Sequence, residues 1–561
     1  MDELHDLFDR HWAHLMAEYP EAATSTGWPE GHDRWTDLST DVVERRKGEA
    51  RAFLAEADAL STRLDPKTLD DVDRTSLEMF RAVEAAEVAS TEFPGELLAL
   101  HQMGGPQIEP AFMLGIMGKT TPKECDDVLA RLRRLPELVD QTLELLVRGA
   151  AAGVTEPAVC LRDVPDQIAA YLAADASSNP LLASVAEAPD DVRAEAADIV
   201  AETCVPAYER LHRHVVDSYL PACRETTALG DLPDGDDWYR ERVRYHTTTD
   251  MTPQEIHEVG LQEVDRIVAE MDALMGQLGY DDRAAFAEYL RTDPMHYFAS
   301  EDELVGAYRD IAKRIDPGVV RLFSRLPRLP FGIVPVPADQ APAQPAAYYM
   351  PGSLELGRAG MFYANTYDLP SRPRWNMESI CLHEAVPGHH FQIALAQETE
   401  GLPMFRRQSL SCTAYIEGWG LYCESLGEEL GLYDDPYQRY GALDAELLRA
   451  CRLVLDTGMH ALGWSREQAI DYFTAQSPSP KHELVVEVDR YLVLPGQALA
   501  YKVGSLKLQD LRAKAQMMLM DAFDVRAFHD ELLRHGALPL GMLERQITAW
   551  IAAFWQKNLG A

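Results

Sequence analysis

Cysteine is scarce in this sequence of 561 residues, and its eight cysteines include no Cys-x-x-Cys pair. That scarcity argues against a cysteine-ligated zinc site or a thioredoxin-like motif and is typical of free thiols in the cytoplasm. The sequence also lacks the positive start, apolar run and cleavage site of a secretory signal, and no apolar stretch is long enough to cross a membrane. We therefore expect a cytoplasmic protein.

Basic residues are also few, with 52 Lys and Arg against 91 Asp and Glu, which gives a net charge of -39. Such a surface repels phosphate backbones and anionic lipids, so nucleic-acid and membrane-surface partners are not expected. The glycine-rich loops that bind nucleotide phosphates are absent as well. The expected partner is a peptide or a peptide-like small molecule.

What the sequence does contain is helical periodicity. Leucines and valines recur at intervals of three and four residues over 126–150, which predicts an amphipathic helix. Thr252 followed by Pro253 and Glu255 is a helix start, because threonine caps, proline fits the first helical position and glutamate completes the capping box. The predicted class is mainly α with a small β-sheet.

Residues 326–352 are rich in proline, alanine and glycine, which indicates an irregular connection. We place a boundary there, between an N-terminal helical lobe over residues 1–325 and a metal-binding lobe over residues 326–561. The short aromatic segment 359–366 reads as a strand. After residue 373 the sequence is helical again almost to its end.

Candidate chemistry begins at His383 and Glu384. In a helical His-Glu-x-x-His motif the two imidazoles share one face and the glutamate can take a proton from metal-bound water. Here four residues separate the glutamate from the next histidine, and on a straight helix neither His389 nor His390 would meet His383 at one ion. Proline and glycine at 387–388 can bulge out two residues and bring His389 into position. We favour His389 as the ligand over His390, which would then contact the substrate or the transition state.

Two histidines leave a tetrahedral ion short of one protein ligand and a water. Glu417 is the favoured third ligand, because it lies in an aromatic, glycine-bearing part of its predicted helix. Glu424 and Glu428 share its helical face and are rivals, although a surface or supporting role is favoured for both. The sequence thus predicts a Zn²⁺ site with Glu384 as general base.

Several segments together resemble the bacterial family known as domain of unknown function 885. The segments that carry the resemblance are His383-Glu384-Ala385-Val386-Pro387-Gly388-His389-His390-Phe391-Gln392, Glu417-Gly418-Trp419-Gly420-Leu421-Tyr422, Asp489-Arg490-Tyr491, Pro495-Gly496-Gln497-Ala498, Tyr501 and Tyr19-Pro20-Glu21-Ala22-Ala23-Thr24. One departure is Arg358-Ala359-Gly360, where the family pattern has Arg-Pro-Gly. The resemblance covers nearly the whole chain.

The resemblance implies a zincin-like metallopeptidase fold of two helical lobes with a deep central channel and a small sheet beside the active-site helix. In such enzymes the strand before that helix pairs with an extended substrate. Residues 360–366 take that place here, so their free edge, with Tyr363 and Asn365, is expected to bind a peptide.

Further candidates lie in the C-terminal third of the sequence. Tyr491 and Tyr501 are candidates to donate a hydrogen bond to the oxyanion, with His390 as a third. Arg490 and Lys502 could bind a substrate carboxylate, and Arg490 is preferred for its planar fork of donors. Structural packing is an equally open explanation for the two tyrosines and the two basic residues.

Asp456 and His460 are four residues apart on a predicted helix, so they could orient each other beside the metal, with His460 near the substrate. A purely structural pair is an equal alternative.

The preferred function is a zinc-dependent hydrolase that cleaves short peptides. One alternative is hydrolysis of a non-peptide amide or ester in specialised metabolism, which the same metal site would serve. A second is a non-catalytic binding protein that retains the fold. A third is a non-hydrolytic metalloenzyme with iron on two histidines and one carboxylate.

Overall fold

The computed structural model describes residues 2–65, 67–173, 178–337, 341, 344–354, 357–408 and 411–559. It is mainly helical, with 70% helix and 4% strand, so the predicted class is confirmed. None of the helices in these ranges is long and apolar enough to cross a membrane. The chain divides into two compact units, Met1–Leu69 with Phe80–Trp238, and Asp70–Met79 with Tyr239–Ala561.

The first unit is helical and is built around one long helix, α6. Its α-helices are α1 Asp2–Glu18, α2 Pro20–Thr26, α3 Thr40–Arg63, the second half of α4 Asp71–Ser90, α5 Glu109–Ile116, α6 Pro122–Ala152, α7 Val164–Ala170, α8 Pro180–Ser184, α9 Asp190–Ile199 and α10 Val205–His214. A π-helical turn, Val200–Cys204, joins α9 to α10. Pro206 does not end the helix, because the backbone stays helical from α9 into α10 and the π-helical turn just before Pro206 accommodates its missing N–H.

The second unit contains the remaining helices. They are α11 Gly235–Thr247, which begins in the first unit, α12 Pro253–Gln277, α13 Arg283–Thr292, α14 Glu301–Leu322, α15 Met377–Glu384, α16 His389–Glu398, α17 Met404–Arg407, α18 Thr413–Glu424, α19 Gly427–Leu430, α20 Pro436–Ala461, α21 Arg466–Gln476, α22 Lys481–Val493, α23 Leu499–Leu519, α24 Val525–Leu533 and α25 Leu540–Leu559. The predicted start of α12 is confirmed, with the complete capping box of Thr252 and Glu255.

A three-stranded sheet also lies in the second unit. Its strands are β1 Phe331–Pro335, β2 Ala347–Met350 and β3 Gly360–Ala364, in the order β1-β3-β2. β1 runs parallel to β3 and β2 antiparallel to it, so that Phe362 lies opposite both Ile333 and Tyr349. The strand predicted over 359–366 is therefore confirmed as β3.

Two expectations about this region are wrong. The connection predicted over 326–352 contains β1 and β2, because prolines are compatible with short strands at a sheet edge. Its residues 338–340, 342 and 343 lie outside the described residues. The free edge expected for 360–366 does not exist along β3, which is paired on both sides and cannot accept a further strand.

The helices that carry the candidate site pack closely within the second unit. α15 packs against α18 and α20, and β2 also contacts α15. α18 crosses α23 where Gly418 meets Gly504, and a Cβ at position 418 would lie 2.5 Å from the Gly504 backbone. The boundary predicted near residue 325 lies inside this unit, because α12 and α14 pack on the helices that follow it. The two-lobed channel stays a prediction.

Candidate metal centre

The His-Glu segment leaves the helical path between its two histidines. α15 ends at Glu384 and α16 begins at His389, so residues 385–388 form the turn between them. A Cβ at Gly388 would overlap the carbonyl oxygens of Leu382 and His383, so only glycine fits this turn. As a result the His383 and His389 rings lie 4.7 Å apart, with perpendicular planes.

Glu417 on α18 faces the same point as the two histidines. Its Oε2 atom is 3.6 Å from Nε2 of His383 and 3.4 Å from Nε2 of His389. Ligand atoms of the three residues all lie within 4.8 Å of one another, and no other set of three such side chains in the described ranges does so. Zinc bonds of roughly 2.0–2.1 Å in a tetrahedron would separate ligand atoms by about 3.3 Å, close to the two observed distances.

The oxygen that faces the histidines has no other partner. Oε2 of Glu417 is buried and accepts no hydrogen bond within the described part of the chain. Burial disfavours a charge on Glu417, but the two imidazoles outweigh it and hold the pKa of this carboxyl well below its usual range. A buried, ionised carboxylate oxygen without a hydrogen bond is what a bound cation would satisfy.

Glu424 lies behind His383, on the side away from Glu417. Its Oε1 atom is 2.8 Å from Nδ1 of His383, and Nη2 of Arg449 is 3.6 Å from the same oxygen. Burial lowers the pKa of His383, but the opposite effect of Glu417 and Glu424 is larger and raises this pKa to about 9. Glu424 thus fixes the imidazole with Nε2 facing the centre, and the carboxylates favour positive charge there.

Two glycines and a tryptophan explain the sequence around Glu417. The indole N–H of Trp419 donates to the Pro387 carbonyl oxygen at 2.8 Å and ties the turn to α18. A Cβ at Gly420 would lie 2.7 Å from Cε1 of His383, so glycine leaves room for the imidazole. Together with the crossing at Gly418, these contacts seat Glu417 opposite the histidines.

We expect Glu424→Ala to weaken zinc binding by about 10- to 100-fold, because the substitution frees the His383 ring to rotate. Glu424→Gln keeps an acceptor oxygen for Nδ1–H and should lose less affinity. Competition titration with a zinc-binding dye measures both. Glu428→Ala is the matched control, since Glu428 is 65% exposed and pairs with Arg439. Equal losses for the variants at 424 and 428 would contradict the assignment.

Glu384, the predicted base, directly follows the first histidine. It is partly buried, and burial raises its pKa, while His389 and His383 act in the opposite direction.

The side chain of His390 points away from the candidate metal centre. Its Nδ1 lies 3.0 Å from the Tyr349 hydroxyl, its ring packs on Phe331, and burial lowers its pKa to about 4. The structure therefore groups His389, and not His390, with the candidate ligands His383 and Glu417.

The predicted tyrosines and Arg490 lie on α22 and α23. The Tyr501 ring stacks near His383, with ring centroids 6.3 Å apart and planes 20° from parallel. Nη2 of Arg490 lies 3.5 Å from the Tyr501 hydroxyl. The buried Tyr491 hydroxyl instead donates to Glu487 at 2.8 Å. Tyr501 and Arg490 thus lie beside the centre, while the Tyr491 hydroxyl is held by Glu487.

His460, Asn365 and Tyr363 have structural contacts. Nε2 of His460, which is buried, lies 3.0 Å from the carbonyl oxygen of Tyr491. The buried Asn365 amide donates to the carbonyl oxygens of residues 341, 344 and 345. Tyr363 stacks on Tyr348, with centroids 4.9 Å apart. None of these contacts points to a substrate.

Lys502 is fully buried, and its Nζ lies 2.8 Å from Glu263 and 2.7 Å from Glu446. A cation held by two carboxylates is not available to a substrate carboxylate. We expect Lys502→Ala to lower the free energy of unfolding by about 3 kcal/mol, because it removes a fully buried cation and leaves Arg266 as the one basic partner shared by Glu263 and Glu446. Lys507→Ala, which removes the partly exposed pair with Glu544, should cost under about 1 kcal/mol. Urea denaturation of both variants tests this, and similar losses would contradict it.

Sequence reasoning missed Arg449 and Arg452. Both lie in the apolar run Leu447-Leu448-Arg449-Ala450-Cys451-Arg452-Leu453-Val454-Leu455 of α20. Arginines rarely lie in a buried helix without partners, so their placement there was the available signal.

Comparisons with known proteins give two solved structures with a similar fold and one matching family. A crystal structure of a proposed lipoprotein from Colwellia psychrerythraea is similar, with a TM-score of 0.92 and 26% identity over 98% of this chain and 99% of that chain. A proposed lipoprotein of unknown function from Shewanella oneidensis shares the fold, with a TM-score of 0.70 and 16% identity over 97% and 99% of the two chains. A comparison with curated proteins gives no match. Residues 20–547 match the family described as bacterial protein of unknown function, DUF885, and the chain belongs to that family.

Proposed function

We propose that this chain is a zinc-dependent hydrolase that cleaves short peptides. The observation that carries the proposal is the convergence of His383, His389 and Glu417, with a buried Glu417 oxygen that makes no hydrogen bond. Two imidazoles and one carboxylate form the ligand set of many catalytic zinc sites, in which the fourth position takes water or substrate. Glu384 next to the first ligand adds a base.

Zinc bound at this centre would lower the pKa of its water and polarise a substrate carbonyl. Glu384 accepts the proton as the nucleophile attacks, and returns it to the leaving nitrogen. Tyr501, whose ring stacks near the His383 ring, supplies the candidate hydroxyl donor to the carbonyl oxygen as negative charge develops there. Glu424 holds His383 in the orientation that this arrangement needs.

The same ligand set also occurs in non-haem iron oxygenases, so the metal must be identified directly. Metal analysis of the purified protein should give one zinc ion per chain. Apoprotein that is reloaded with zinc or with iron should bind zinc stoichiometrically in preference to iron. A mixture of short peptides is then followed by mass spectrometry with and without a chelator. We expect chelator-sensitive cleavage that returns on addition of zinc.

Each other result points to a different function. Failure to hold zinc after reloading would overturn the proposal. Zinc binding without cleavage of any peptide would leave the metal centre and redirect the search to non-peptide amides and esters. Iron binding with oxygen consumption would favour an oxygenase. A protein that binds peptides but never cleaves them would be a binding protein that retains the fold.

The cytoplasmic location stays a prediction. The two similar structures come from proteins described as proposed lipoproteins, a description that belongs to those proteins. Cell fractionation with an antibody against this chain decides between the cytoplasm and a membrane fraction.

A further inference from the structure

Two arginines and one glutamate form a mostly buried cluster beside the candidate metal centre. Arg452 donates from Nη2 to Glu487 at 2.9 Å and from Nε to the Tyr491 hydroxyl at 3.1 Å. Arg490 donates from Nη1 to Glu487 at 3.5 Å and from Nη2 to Gln497 at 2.9 Å. We call Arg452, Glu487 and Arg490 the arginine cluster.

The arginine cluster carries one positive charge in excess. Guanidinium groups stay protonated in proteins. Burial opposes ionisation of Glu487, but Arg452 and Arg490 outweigh it and hold its pKa at about 2. Glu483, one turn earlier on α22, is half-buried and interacts with Arg372. The charge of Glu483 is therefore balanced by Arg372 and not by the arginine cluster. The carboxylate of Glu487 is therefore shared between two guanidinium groups, and one positive charge is not neutralised.

One nitrogen of the cluster has no partner. Nη1 of Arg452 is buried and donates no hydrogen bond within the described ranges. A buried, uncompensated cation is unfavourable for folding, and apolar residues of similar size are often neutral or stabilising in such places. In a chain with a net charge of -39, an excess positive charge in this position needs an explanation in function.

Tyr501 connects the cluster to the metal centre. The Arg452 guanidinium lies 4.5 Å from the centroid of the Tyr501 ring, and the same ring stacks near the imidazole of His383 at 6.3 Å. Nη2 of Arg490 lies 3.5 Å from the Tyr501 hydroxyl, and the Arg490 side chain keeps 19% of its surface exposed. Arg490 can therefore contact a ligand that also binds at the candidate metal centre.

We infer that Arg490, supported by the charge of Arg452, binds a carboxylate of the substrate. The inference rests on the proposed function and narrows its substrates to peptides with a free carboxylate near the bond that is cleaved. A carboxylate can receive two hydrogen bonds from one guanidinium, and its charge would neutralise the excess of the arginine cluster. The carboxylate belongs either to the peptide C-terminus or to an acidic side chain.

The test compares three versions of one short peptide with the zinc-loaded protein. The first has a free C-terminal carboxylate, the second a C-terminal amide, and the third an amide together with an aspartate at the last position. We expect kcat/KM for the free acid to exceed that for the plain amide by about 10- to 100-fold, since hydrogen bonds to charged groups are strong. Recovery of cleavage in the third peptide would assign the carboxylate to a side chain, and no recovery would assign it to the C-terminus.

Arg490→Gln should lower kcat/KM for the free acid about 10- to 100-fold more than for the plain amide, so that the preference disappears. Arg439→Gln is the control, because Arg439 is partly exposed and pairs with Glu428. Arg490→Lys keeps the charge and should keep part of the preference. Thermal unfolding of each variant checks that it folds. Equal cleavage of acid and amide by the wild type, or an equal loss for both peptides in Arg490→Gln, would overturn the inference.

Binding gives a readout that does not depend on turnover. Calorimetry with zinc-loaded Glu384→Gln should show the same preference for the free acid. If the wild type holds zinc but neither binds nor cleaves any of the three peptides, the inference fails while the metal centre stands. If the wild type holds no zinc, the proposed function itself has failed.

Discussion

Glu384→Gln is expected to lower kcat for peptide hydrolysis by about a thousandfold while stoichiometric zinc is retained. The amide has nearly the shape of the carboxylate but cannot accept a proton, and general-base catalysis contributes about 10²- to 10⁴-fold. The proposed metal ligands His383, His389 and Glu417 are unchanged, so the metal should stay bound. Metal analysis and single-turnover mass spectrometry measure the two effects separately.

The control for this prediction is Glu428→Gln, the same chemical change at an exposed glutamate that pairs with Arg439. It should keep full activity. Two results would contradict the role of Glu384. Undiminished hydrolysis would show that another group accepts the proton, and loss of zinc would show that Glu384 holds the centre together instead of acting on the substrate.

Gly388→Ala is expected to abolish zinc binding at micromolar zinc and to lower stability by about 1–3 kcal/mol. The added methyl group would overlap two backbone carbonyl oxygens, those of Leu382 and His383, and backbone atoms cannot rotate away as a side chain can. The turn must then shift, and a displacement of about 1 Å at His389 is enough to disrupt a catalytic geometry. Zinc titration and urea denaturation test the two effects.

Gly306→Ala is the matched control. Gly306 lies in α14 of the same unit, and a Cβ there would meet no atom within 4 Å. Alanine in that helix should raise stability by about 0.5–1 kcal/mol and leave zinc binding unchanged. If Gly388→Ala binds zinc as tightly as the wild type, the tight turn is not what positions His389.

Local sequence patterns were sufficient to predict many of the elements. The capping box at Thr252 and the mainly helical class rest on interactions between residues close in sequence, and the strand at Gly360–Ala364 is indicated by its local aromatic composition. The pairing of β1 and β2 with β3 could not be predicted, because it joins segments whose prolines favour irregular structure and whose partners are set by the packing of the whole unit.

The candidate centre was predictable to the extent that its parts are close in sequence. His383, Glu384 and His389 fall in one segment, and Pro387 with Gly388 already indicates a turn there. The choice between His389 and His390 depended on where the chain goes after the turn. The structure shows it, since His390 turns toward the sheet and bonds to Tyr349.

Contacts between residues far apart in the sequence could not be predicted from the sequence. Lys502 looked available for a substrate, but two glutamates from α12 and α20 hold it. Arg452 and Glu487 lie on different helices, and nothing in either segment indicates that they meet beside His383. Such pairings depend on how helices cross, which a single sequence does not display.

The prolines around the sheet also bear on how copies of this protein behave at high concentration. β1 and β2 form the two outer edges of the sheet, and unpaired edges can recruit strands from other molecules into aggregates. β1 ends in Pro335, β2 is only four residues long, and Pro345 and Pro351 flank β2. Because proline cannot donate a ladder hydrogen bond, these edges resist growth into intermolecular sheets. The same prolines that led β1 and β2 to be predicted as an irregular connection thus help to protect the folded protein from self-association.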